Sequence, residues 1–226
     1  VLYGIASAMK YLHFYDIIHR DLNLKNVLMD NKMRSKIGDF GLSKITRSNN
    51  KTLEESTVTT KGTPIYMPPE LLEFNKYSKA GDVYAFAIMV FEIMTSEKPY
   101  CQYKDLNFAK LSKMVIDGVR PELDFPIPEA YKELIESCWK QDAESRPTFA
   151  EIVDVLKNNK GFITKNVDKE KYFEYVNYID NYNSTFDSEK YNISLESLDE
   201  INSEEENLEA GRSGYCKKQL KSKPQC

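Results

Sequence analysis

His19-Arg20-Asp21-Leu22-Asn23-Leu24-Lys25-Asn26, followed thirteen residues after Asn26 by Asp39-Phe40-Gly41, is the stretch on which the reading of this chain turns. Asn26-Val27-Leu28-Met29-Asp30 and Lys36-Ile37-Gly38-Asp39 read as two short strands joined by a polar turn at Asn31-Lys32. A lone Asp or Asn is ordinarily a turn residue or a helix cap. Two carboxylates and an amide at the edges of one strand pair suit a different task. One carboxylate can take the proton of an attacking hydroxyl, while the other groups hold Mg²⁺ against phosphate oxygens. Hard oxygen ligands fit magnesium, which binds few protein groups and keeps waters and phosphates.

Around this stretch the pattern is mostly helical. Leu2, Ile5, Ala6, Met9 and Leu12 fall at helical spacing and predict a helix ending near His13. From Lys79 to Thr95 the residues are apolar nearly all round, which predicts a buried helix. Residues 105–117 and 128–140 predict two amphipathic helices. Pro147 suits the first turn of a last helix running to Leu156, where its missing N–H is not needed.

Composition excludes several classes. The formal net charge of −4 over 226 residues implies no wholesale electrostatic attraction to nucleic acid. The longest apolar run, Val83 to Phe91, is well short of the ~20 residues that span a bilayer. Cys101, Cys138, Cys216 and Cys226 form no CxxC pair, and His13 and His19 add no metal-ligand spacing, so a reduced, cytoplasmic setting is expected. Residues 166–226 turn acidic, with seven carboxylates and no base between Glu196 and Glu209, and then basic from Arg212 to Lys223. Such blocks are expected to be solvated. Val1 opens the chain already in helical register, as the inside of a larger protein would.

Further marks follow in order. Gly62-Thr63-Pro64-Ile65-Tyr66-Met67-Pro68-Pro69-Glu70 sits where a GTxxYMAPE segment is expected, Asp82-Val83-Tyr84-Ala85-Phe86 is similar to DVxSFG, and Cys138-Trp139 through Arg146-Pro147-Thr148-Phe149 is similar to a CW…RPTF run. With HRDLxxxN and DFG, these resemble the eukaryotic protein kinase family, of serine/threonine and tyrosine-kinase-like type, over residues 1–158 and over its C-terminal lobe only. The resemblance implies a mainly α fold: a helical lobe with short β-hairpin strands around the catalytic loop, the N-lobe being absent. Residues 159–226 would be a linker or disordered tail.

The same resemblance implies roles. Asp21 would accept the substrate hydroxyl proton, Lys25 would bring charge to the transferred phosphate, and Asn26 and Asp39 would ligate Mg²⁺ beside ATP. His19 and Phe40, next to Gly41, would face the core. Asp82 would bond the backbone around His19 and Arg20, Thr63 would bond near Asp21, and Glu70 would form a buried ion pair with Arg146. The partners implied are a protein substrate and an N-lobe in cis. Departures exist: Asn23 stands where serine/threonine kinases carry Lys, Pro68 replaces Ala, and Ala143 replaces Pro. Tyrosine specificity therefore stays open. So does a non-catalytic interaction module, because no GxGxxG loop or VAIK-type lysine occurs in the chain. Little catalysis is expected of this chain alone.

Between Gly41 and Gly62 lies a polar stretch containing Thr57, Thr59 and Thr60. A phosphate there would bring about −1.5 to −2 charge to Arg20 and could order the segment. Replacing all three threonines with Ala in the full-length protein is expected to lower peptide phosphorylation markedly, and Arg20→Ala to add no further loss on that background. Full activity in the triple variant would end the phospho-switch reading.

Overall fold

The computed structural model describes residues 1–45, 52–54, 62–165 and 167–185. Residues 1–180 form one compact unit. Helix α1 (Leu2–Phe14) leads into strand β1 (Ile17–Ile18) and the loop carrying His19 to Asn26. A hairpin follows, with β2 (Val27–Met29) antiparallel to β3 (Ser35–Ile37) and Leu28 opposite Lys36. Its turn is closed by Asp30, whose Oδ1 accepts the backbone N–H groups of Lys32 and Arg34 at 2.9 Å each. Strand β4 (Lys44–Ile45) returns to pair antiparallel with β1, so the segment after Asp39-Phe40-Gly41 lies beside the entrance to the His19 loop. Strand β5 (Thr52–Glu54) comes next.

The rest is helical. Helix α2 (Pro69–Phe74) and strand β6 (Lys76–Ser78), which pairs antiparallel with β5, precede the central helix α3 (Lys79–Thr95). Every residue of α3 from Asp82 to Phe91 is buried, which is why no polar stripe appears in its sequence. Burying one large apolar side chain is worth about 1.5–3 kcal/mol, so this helix is the chief hydrophobic stabiliser of the lobe. Ser78 caps it by accepting from Gly81 N–H at 3.1 Å. Helices α4 (Phe108–Ile116), α5 (Glu129–Cys138) and α6 (Phe149–Asn158) follow, with α5 packed on α3 and α6 on α1. Among the described residues Cys101 and Cys138 are free thiols, and burial pushes the Cys138 thiol up to about 12. No described helix is long and apolar enough to cross a membrane.

Two expectations are corrected. Helix α6 begins at Phe149, not at Pro147: Thr148 is its cap, accepting from Glu151 N–H, while the Glu151 carboxylate returns to Thr148 N–H at 2.7 Å. That reciprocal capping box sets the start and leaves Pro147 outside the helix. The packed lobe also does not stop at residue 158. Phe162 is buried, its ring 4.9 Å from that of Tyr131, and a further helix α7 (Lys169–Thr185) follows. Val176 on α7 is 1% exposed, and Asp180 accepts from the Tyr3 hydroxyl at 2.5 Å and pairs with Lys157 at 2.6 Å. Residues 159–180 are therefore part of the fold. The threonines at 57, 59 and 60, and the acidic and basic blocks after residue 185, lie outside the described residues.

Burial pushes the Asp180 carboxyl up, but the hydrogen bonds from Lys157 and Tyr3 outweigh it and hold the group below its usual 3.8. A carboxyl lowered on folding stabilises the folded form above the unfolded value and loses that contribution as pH falls through the folded one. The stability difference between the parent and Asp180→Asn is thus expected to be full at pH 7 and to close below pH 3.8, as read by urea unfolding. A difference that persists unchanged at pH 2.5 would contradict this.

Candidate active site

The loop from His19 to Asn26 is held from below by the first turn of α3. Asp82, itself 3% exposed, accepts the backbone N–H of His19 at 2.9 Å through Oδ2 and that of Arg20 at 3.0 Å through Oδ1. His13, from the end of α1, adds Nε2 at 2.9 Å to the same carboxylate. Arg20 sits at φ 71°, a left-handed conformation that costs a side-chain-bearing residue about 1–2 kcal/mol. Hydrogen bonds to a charged acceptor are worth ~1.5–3 kcal/mol each, so the two Asp82 bonds suffice to hold it there.

The turn so imposed brings the chemistry-bearing groups together. Asp21 Oδ1 accepts from Thr63 twice, at 2.9 Å from its N–H and 2.8 Å from its hydroxyl. Asn26 Nδ2 donates to Asp21 Oδ2 at 3.2 Å and to the Asp21 carbonyl at 2.8 Å. Asn23, 2% exposed, ties these pieces into one unit. Its Nδ2 reaches the Asp21 carbonyl at 2.9 Å and Thr63 Oγ1 at 3.3 Å, and its Oδ1 caps the short turn Leu24–Asn26 by accepting from Lys25 and Asn26 N–H. In the sequence Asn23 stands out only as a departure from Lys. Its general habit of capping turns was the available signal. Gly62, at φ 118°, lets Thr63 come this close, since a Cβ there would stand 3.1 Å from the Arg20 carbonyl oxygen.

Asp39 and Lys25 are placed differently. Asp39 follows directly on Gly38, whose N–H bonds the Asn26 carbonyl at 2.8 Å, so the hairpin fixes the distance between the Asn26 and Asp39 backbones. Its own side chain is exposed, with φ 58° and Oδ1 on Gly41 N–H at 3.3 Å. Lys25 is also exposed. The Asn26 amide spends its nitrogen on Asp21, which leaves its oxygen, with the Asp39 carboxylate, as hard ligands that fit Mg²⁺. Among the described residues no three His, Cys, Asp or Glu side chains gather into a closed metal cage.

His19 and Phe40 differ in burial. His19 is fully buried, its Nε2 3.2 Å from the Gly38 carbonyl, but Phe40 is 48% exposed. One side of its ring meets His19, at 5.4 Å between centroids, and no described residue covers the remainder. Phe40 thus packs on His19 with the rest of its ring open among the described residues.

Two further ties secure the segment that carries Thr63. The Tyr66 hydroxyl donates to Glu92 on α3, and burial pushes the Glu92 carboxyl above its ordinary value. Glu70 and Arg146 form a two-pronged pair at 2.8 Å and 2.8 Å. Arg146 also bonds the carbonyls of Ala80 at 2.9 Å and Lys140 at 2.8 Å, and its side chain is fully buried. Losing one partner of such a pair leaves an uncompensated buried charge. Arg146→Ala is expected to lower stability by about 3–5 kcal/mol in urea unfolding of the 226-residue chain, and a loss under 1 kcal/mol would show the pair to be dispensable.

The profile of the protein tyrosine and serine/threonine kinase family matches residues 1–156. The chain is 40% identical over 153 residues to a LIM domain-containing serine/threonine-protein kinase of Dictyostelium discoideum, covering 68% of this chain and 15% of that protein. It is 37% identical over 155 residues to an RGS domain-containing serine/threonine-protein kinase of the same organism, covering 69% and 13%. A dual specificity protein kinase, also from Dictyostelium discoideum, is 35% identical over 153 residues, covering 67% and 30%. The chain thus spans less than a third of the length of these relatives. With the Asp21, Asn26 and Thr63 cluster hung from a helical lobe, the match leaves one assignment: the chain belongs to the protein tyrosine and serine/threonine kinase family.

Proposed function

We propose that this chain is the phosphate-transferring helical lobe of a protein kinase acting on serine and threonine. The observation that carries the reading is the Asp21 carboxylate, fixed between Asn26 of its own loop and Thr63 of the facing segment. In that position it accepts the proton of a substrate hydroxyl as the hydroxyl oxygen bonds to the transferred phosphorus and the bond to the ADP leaving group breaks. Asn26 and Asp39 would hold Mg²⁺, which, when bound, neutralises charge on the ATP phosphates. The exposed Lys25 would bring charge to the transferred phosphate. Asn23 supports the reading by fixing both the Asp21 carbonyl and the Thr63 hydroxyl.

Serine/threonine preference rests on the Gly62-to-Tyr66 segment and on the names of two of the relatives above; the tyrosine-kinase-like type goes with it. The dual specificity relative keeps action on tyrosine as a second reading. The chain has no glycine-rich loop, so ATP needs a second lobe in cis to close over it. Exposed Leu28, 61%, and Phe40, 48%, on the hairpin and just beyond it, supply apolar surface for that closure. A cytoplasmic site of action, with a protein as substrate, belongs to the same reading. The alternative is a lobe kept as a non-catalytic interaction module.

Asp21→Asn in the full-length protein is nearly isosteric; it removes the proton acceptor and sets one NH₂ against a donor of Thr63 or Asn26. It is expected to cut phosphotransfer to a peptide by at least ~10² in a protein that still folds. Asp39→Asn is expected to act through Mg·ATP, raising its KM. Near-parental turnover in Asp21→Asn would favour the non-catalytic module.

A further inference from the structure

Gly4 lies inside α1, where a glycine weakens a helix relative to alanine. The space left by its missing Cβ is filled. The Tyr175 hydroxyl of α7 and the Ser35 hydroxyl of β3 both enter it, Ser35 Oγ standing 2.5 Å from where a Cβ would lie. Those two hydroxyls are 3.4 Å apart, and Ser35 Oγ also donates to the Val1 carbonyl at 3.1 Å. One turn further along α7, the Tyr178 ring lies under the Arg34 guanidinium at 4.7 Å, and Arg34 bonds Asp30 across the hairpin turn at 2.7 Å. Two more contacts fix α7 on the helices below: Tyr3 to Asp180, and the Tyr172 hydroxyl to the Leu156 carbonyl at 2.7 Å. The family match ends at residue 156, before α7 begins.

We propose that Tyr175 is a positioning residue: through the Gly4 notch it pins strand β3, and with it the hairpin whose two ends carry Asn26 and Asp39. The chain of contacts is continuous. Tyr175 meets Ser35, Ser35 opposes Met29 and Ile37 opposes Val27 in the ladder, and Gly38 N–H bonds the Asn26 carbonyl one residue before Asp39. Strand β3 is three residues long and pairs with β2 alone among the described strands; it packs against α1, and the Tyr175 hydroxyl of α7 reaches Ser35 through the notch that Gly4 leaves in that helix. A two-stranded hairpin is marginal by itself, so an outside clamp has a large effect on how often it opens. The link from hairpin to phosphotransfer rests on the function proposed above; the clamp itself does not.

Amide hydrogen exchange on the 226-residue chain tests it without nucleotide. In Tyr175→Ala the amides of Ile37 and Gly38 are expected to exchange at least ~10-fold faster, with those of Ile88 and Met89 in α3 unchanged. Gly4→Ala, which fills the notch while favouring α1, is expected to do the same. Tyr175→Phe, which keeps the ring on α1 but removes the hydroxyl that meets Ser35, is expected to lose hairpin protection as well, and parental hairpin exchange in it would overturn the proposal. Unchanged hairpin exchange in Tyr175→Ala overturns the proposal. So does a rise of equal size throughout α3, because the residue would then serve global stability alone. Either failure leaves the kinase reading standing, since that reading is decided separately by Asp21→Asn.

Discussion

One buried carboxylate holds the rest in place. Asp82 takes two successive backbone N–H groups, His19 and Arg20, from a loop that would not adopt its turn unaided. The left-handed Arg20 then aims Asp21 away from the core and toward Thr63, and allows Asn23 and Asn26 to close back on the Asp21 carbonyl. Asp82 sits in the first turn of the most deeply buried helix, so the anchor is as rigid as the core itself. A charged acceptor at a helix N-terminus is also favoured by the helix dipole. Arg20, being so held, lays its guanidinium over the Tyr77 ring at 3.8 Å.

The second constraint is covalent order. Asn26 and Asp39 are thirteen residues apart, yet the β2–β3 hairpin returns the chain so that Gly38 bonds Asn26 directly. A short hairpin is the cheapest way to bring an amide and a carboxylate to one side of a site. Arg146 and Glu70 fix the facing segment in the same manner, with a buried fork tying α2 to the loop before α6.

Much of this could be read from sequence because its signals are local. Two short segments joined by the polar turn at Asn31-Lys32 announced the hairpin, and the absence of a polar face from Val83 to Phe91 announced α3. The motif order announced the Asp21, Asn26 and Thr63 neighbourhood. What escaped was held by groups distant in sequence. Helix α7 is rich in Tyr and Asn and poor in Leu, so it reads as a polar tail. It docks through hydroxyl groups and ring faces that no hydropathy pattern displays. His13 was weighed only as a metal ligand; its bond to Asp82 spans 69 positions. Phe40 was placed in the core by its motif, but exposure depends on what lies over it, and a motif does not carry that.

The claim at the centre is that phosphotransfer depends on the loop geometry imposed by Asp82. The direct measurement is peptide phosphorylation by full-length Asp82→Asn. This variant turns one acceptor oxygen into an NH₂ donor facing a backbone N–H, while keeping the shape of the side chain. A misplacement of the reacting groups by ~1 Å can cost about 10²-fold in rate, and a loss of that size is expected in a protein that still folds. Parental turnover in folded Asp82→Asn would contradict the account.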